Sequence, residues 1–142
     1  MIFEGNKILS EDTLKTVQGA LGNLVEKAKE FGKSLSPMLI ALYDKIVAMA
    51  KDLAKFNTFG LETEVLTKEQ LIDFIKRYIA KGSNQSVLVK SATEDGIFVY
   101  VSFAHDRELL PDSDNKYLII KAKTLAPEVA ELFGENELII LE

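Results

Sequence analysis

The chain has 142 residues, of which 47% are hydrophobic and 27% charged, ordinary globular values that predict a sizeable core and exclude disorder of the whole chain. The formal charge of −5, with lysines interspersed among Asp and Glu, argues against nucleic-acid binding and against docking on an anionic membrane surface. The absence of Cys removes disulfides, thiolate metal sites and cysteine nucleophiles.

At the N-terminus, Met1-Ile2-Phe3-Glu4-Gly5 has no basic region followed by an apolar core, so no secretory signal is expected. No apolar run approaches the roughly 20 residues of a membrane span. The expected setting is cytoplasmic. Met1–Leu9 reads as a small hairpin around Glu4–Lys7 or as a lead into the first helix.

Ser10–Phe31 predicts a helix. Ser10 is a suitable N-cap, and Glu11 and Asp12 bring negative charge to the positive end of the helix dipole. Leu14, Val17, Leu21, Leu24, Val25, Ala28 and Phe31 form one apolar stripe, and Gly32 stops it. Gly19 and Gly22, inside the pattern, read as close packing or a weak point. Ser34–Phe56 holds a second helix, opened by Ser36 before Pro37. Its apolar set, from Leu39 to Phe56, is wider than one stripe and predicts cover on two sides. The short connection predicts an antiparallel helical hairpin.

Asn57–Leu66 reads as a connection, with a turn at Thr58 and Gly60 and a possible short edge strand over Leu61–Leu66. Thr67–Lys81 predicts a third helix. Thr67 and Gln70 have capping-box spacing, and Leu71, Ile72, Phe74, Ile75, Tyr78 and Ile79 make its buried face. Gly82 ends it.

From Ser86 the apolar period shortens from helical to alternating. Ser86–Ser91 and Gly96–Ala104 predict an antiparallel hairpin. The second of these, GIFVYVSFA, is the strongest strand signal in the chain. It places Ile97, Val99, Val101 and Phe103 on one face and Phe98, Tyr100, Ser102 and Ala104 on the other. A polar loop, His105–Asn115, precedes a strand over Lys116–Ala122. A short helix lies within Thr124–Phe133, with Pro127 near its start and Gly134 after it. A last strand covers Glu137–Leu141. This β-α-β order predicts parallel strands that are adjacent or separated by one strand.

There is no internal repeat. The expected architecture is one α+β domain over 1–142. Its helical part, about 10–81, holds three helices packed on one face of a small, mostly antiparallel sheet. The β-rich part, about 86–142, carries the C-terminal β-α-β unit.

The search for chemistry gives mostly negatives. One His and no Cys cannot build a zinc site without several carboxylates. Glycine-rich phosphate loops and a nucleophile elbow are missing from the sequence. A nuclease-type acid pair fails because Ile119 stands where the acid before Lys121 is needed. Asp112-Ser113-Asp114-Asn115 offers oxygen ligands but lacks the Gly and distal Glu of a calcium loop. An RNA-recognition strand fails because Asp95 stands in place of a basic residue and Phe98 in place of a small one.

Two clusters remain. His105, Asp106 and Arg107 follow the central strand, and Arg107 suits an anionic ligand. Phe98 and Tyr100 share a strand face that, if uncovered, suits self-association or a protein partner. The reading that follows is a non-enzymatic protein-binding or regulatory module, acting through a homodimer or a partner, with no cofactor and no metal. The alternative is a small-ligand sensor, or an enzyme of minimal site, taking an anionic small molecule between helices and sheet.

Overall fold

The computed structural model describes residues 2–4, 11–31, 36–51, 57–94, 96–106, 108–110 and 116–141. Along the chain these form β1 (Ile2–Glu4), α1 (Glu11–Phe31), α2 (Ser36–Lys51), β2 (Asn57–Leu66), α3 (Lys68–Tyr78), β3 (Gln85–Thr93), β4 (Gly96–His105), β5 (Glu108–Leu109), β6 (Lys116–Leu125), α4 (Pro127–Phe133) and β7 (Leu138–Leu141). The class is α+β. One mixed sheet runs in the order β1-β2-β6-β4-β3-β7, and β5 pairs with the end of β4.

The expected hairpin is the centre of this sheet. β3 and β4 pair antiparallel from Gln85↔Ala104 to Thr93↔Gly96. Gly96 is required where it stands. Its φ is +138°, and a Cβ there would lie 2.6 Å from the carbonyl oxygen of Ala122 on β6.

Four expectations need correction. The first concerns which faces the helices cover. α1 and α2 pack Leu21, Val25, Met38, Leu39 and Leu42 against Val87, Val89, Phe98, Tyr100 and Ile119. α3 and α4 pack Leu71, Phe74, Ile75, Val129 and Phe133 against Leu88, Val99, Val101, Leu118 and Ile120 on the opposite face. Helices therefore cover both faces rather than one. The cause is the apolar character of both sides of β3 and β4, each of which must leave water.

The second correction is β2. It is a ten-residue strand lying between β1 and β6, not a connection with a short edge strand. It runs parallel to β6 from Asn57↔Lys116 to Leu66↔Leu125. Charged residues on opposed strands support the register, as at Glu64 and Lys123, whose side chains meet at 3.3 Å. The third concerns β1, whose antiparallel pairing with β2 was not expected; residues 5–10, on which the alternative hairpin or lead into the first helix falls, lie outside the described residues. With these two strands, the sheet draws on both halves of the chain.

The fourth is the C-terminal β-α-β unit. β6, β4, β3 and β7 are successive antiparallel neighbours, so β6 and β7 run in opposite directions with two strands between them. Both sides of β6 are already filled, by β2 and β4. The free edge for Leu138–Leu141 is that of β3, and α4 crosses the intervening strands to reach it.

The helix termini follow local chemistry. Thr67 and Gln70 form the expected capping box: the Gln70 N–H donates to Thr67 Oγ1 at 3.2 Å, and the Thr67 N–H donates to Gln70 Oε1 at 3.1 Å. α4 starts with Pro127, one residue after β6, and is capped by Gly134; Thr124 and Leu125 remain in β6. In α1, a Cβ at Gly19 would meet only open space, which makes that glycine a weak point rather than a packing contact.

Candidate functional site

α3 carries two parallel rows of side chains. Leu71 and Ile75 make one, continued by the C-cap residue Ile79, and Lys68, Ile72 and Lys76 the other, each spaced by four residues and so aligned along the helix. Phe74 and Tyr78 lie on a further side, their ring centroids 5.0 Å apart, with Phe74 buried in the core. The apolar arc of the helix is thus wider than the sheet beneath it can cover.

What remains uncovered is one wall of a cleft of about 400 Å³. Both rows of α3 line it, together with Ser83, Asn84, Gln85 and Ser86 at the start of β3, Leu132 of α4 and Leu141 of β7. Its apolar walls stay partly open to solvent: Ile79 is 54% exposed and Leu132 36%. Among the described residues, the lining holds two lysines and no acid. Neither Lys68 nor Lys76 forms an ion pair among the described residues.

The polar end of the cleft is joined to the loop after β4. The Asn84 side chain makes two hydrogen bonds to Asp106: its amide nitrogen donates to Oδ1 at 2.9 Å, and its oxygen accepts from the Asp106 N–H at 3.0 Å. Asp106 has a φ of 50°, a left-handed conformation that Asp adopts more readily than most residues. The Asn84 N–H donates to the carbonyl of Ala104 at 3.0 Å, which fixes the loop against the strand end. His105 Nδ1 lies 3.4 Å from Asp106 Oδ2, with both side chains exposed.

The sequence-predicted residues are therefore placed unequally. His105 and Asp106 stand beside one another, one hydrogen bond from Asn84, but they do not line the cleft itself. Arg107 and Asp112–Asn115 lie outside the described residues. Phe98 and Tyr100 are buried under α1 and α2, so they do not present an open face to a partner. Lys121 Nζ sits 5.9 Å above the Phe98 ring and Lys45 Nζ 5.7 Å above that of Tyr100, covering the aromatic pair further.

A ligand site between helices and sheet was expected, but the residues that line this cleft were not. Its signal was present in α3, where six apolar residues span too wide an arc for a helix packed on one surface. Among the described residues, no group of three or more His, Asp or Glu side chains is arranged to hold a metal ion. No described helix is long and apolar enough to cross a membrane. The chain matches no protein-family model, no curated protein and no solved structure in comparisons with known proteins.

Proposed function

We propose that the protein is a non-enzymatic binding module that takes a small, largely apolar molecule into the cleft between α3, α4 and the sheet. The observation that carries this reading is the open apolar wall: Ile79 and Leu132 stay exposed on either side of a concavity whose volume falls within the range of small-molecule sites. The other exposed large apolar side chains among the described residues, Ile40 and Val65, do not line the cleft, and Leu88, Tyr100, Ile119, Ile120 and Phe133 are essentially inaccessible. A titration with the neutral, environment-sensitive dye Nile red tests it. Wild-type protein is expected to bind the dye saturably. The double variant Ile79→Ser with Leu132→Ser, altered only at exposed positions, is expected to keep its circular dichroism spectrum and lose binding. Equal binding by both proteins, or none by wild type, removes the reading.

A protein partner, or a second copy of the chain, is the other reading. What favours it is β7. This strand lies at the end of the sheet order and carries four consecutive apolar residues, Leu138-Ile139-Ile140-Leu141, all half-buried and without a charge to deter strand pairing. Sedimentation across a wide concentration range decides the self-association part of this reading. A mass that stays monomeric throughout eliminates it.

A further inference from the structure

We propose that the guest of the α3–α4 cleft is a single-chain aliphatic carboxylate, its tail along the Leu71–Ile75–Ile79 row and its charge neutralised by a rim lysine. The proposal rests on the cleft reading above and adds the chemical class of the ligand.

The argument starts from charge. The chain carries five more formal negative charges than positive ones, and its lysines are generally mixed with acids. The cleft departs from that pattern: among the described residues, Lys68 and Lys76 line it and no Asp or Glu does. The acids of α3 nearest them in sequence, Glu69 and Asp73, are absent from the lining and exposed. Asp106 approaches the Asn84 end, but its carboxylate is held by the Asn84 amide and lies beside His105. Of the described residues, an anion in the cleft would therefore meet cations within the lining, and acids only beyond it.

The shape of the lining sets the rest of the chemistry. α3 follows β2 and returns antiparallel to it. Lys68 thus stands near the sheet end where β2 and β6 finish, and Lys76 and Ile79 near the end where β3 begins. The lysines are eight residues apart, about 12 Å along the helix axis. Between them the floor and walls are Leu71, Ile72, Ile75, Leu132 and Leu141, all aliphatic. Among the described residues, no aromatic side chain lines the cleft to stack on a planar ring, so a flexible alkyl chain fits this wall better than an aromatic or heterocyclic guest. The volume suits a chain of medium length lying along the helix.

The test compares decanoate with decanol by isothermal titration calorimetry on the full chain. Both share the tail and differ only in the charged group. Wild-type protein is expected to bind decanoate about twofold to fivefold more tightly than decanol, the upper part of the range for an exposed ion pair. In the double variant Lys68→Gln with Lys76→Gln, decanol affinity is expected to stay the same and the preference for decanoate to disappear. If decanol binds wild type as well as decanoate does, the assigned class is wrong while the cleft remains a site for neutral guests. If neither binds and Nile red is also refused, the cleft reading falls and this proposal with it. If the preference survives in the double variant, the lysines do not recognise the charge and the proposal is overturned. Thermal unfolding of the double variant at the wild-type temperature excludes misfolding as the cause of any loss.

Discussion

The two faces of the sheet differ in the length of the helices that cover them, and this difference accounts for the cleft on the α3–α4 face. α1 and α2 have 21 and 16 residues, about 32 and 24 Å of helix. The central strands, with nine and ten residues, span about 30 Å. The helices on this face are therefore long enough to follow the strands. On the other face α3 and α4 have 11 and seven residues, about 16 and 10 Å. They bury the middle of the sheet but leave a gap where β3 begins and β7 ends. The cleft occupies that gap. An apolar surface with too little helix above it is left to an exogenous molecule or to water.

The largest expected effect tests the closed face. Tyr100 is fully buried between the sheet and the α1–α2 pair. Tyr100→Glu removes a core aromatic, a change of about 3–5 kcal/mol, and requires a carboxylate to leave water as well. Against a typical total of about 5–15 kcal/mol, this is expected to abolish cooperative thermal unfolding or to shift the midpoint by tens of degrees. A variant that stays folded and changes only its mass in sedimentation would show that this face is an interface, and the closed-against-open comparison would be lost.

Much of this architecture is legible in the residues, and the illegible parts have physical causes. The β3–β4 hairpin is plain because its β-branched and aromatic residues alternate on a pleated surface. The α3 cap is plain because Thr67 and Gln70 act within one turn. β2 was obscured because Gly60, Glu62 and Glu64 have low strand propensity. Its place comes from long-range pairing with β6, which no local pattern encodes. Helices on both faces were foreshadowed by the two apolar sides of β4, but which helix covers which side depends on chain crossing. At the site, His105 and Asp106 were found as a cluster by adjacency. Asn84, which ties them to the cleft, lies more than twenty residues earlier and could be found only in three dimensions. The cleft depends on helix length relative to strand length, a comparison that requires the sheet order first.

A smaller effect tests whether the open face is also the less stable one. Thr67→Ala removes the hydroxyl that accepts from the Gln70 N–H and leaves the first turn of α3 with one fewer partner. The expected loss is about 1 kcal/mol, read as a lower denaturation midpoint with an unchanged slope. Thr67→Ser, which keeps the oxygen, should restore most of it. Hydrogen exchange gives the sharper readout. Amides of Lys68–Tyr78 are expected to exchange faster in Thr67→Ala, while those of α1 keep their wild-type rates. That outcome makes α3 a locally opening unit, and places the conformational freedom of the molecule beside the cleft, where a guest must enter. Equal acceleration in α1 would mean that both faces open together in one cooperative step. The cleft would then be a fixed gap set by helix length alone, and guest entry would have to proceed without movement of α3.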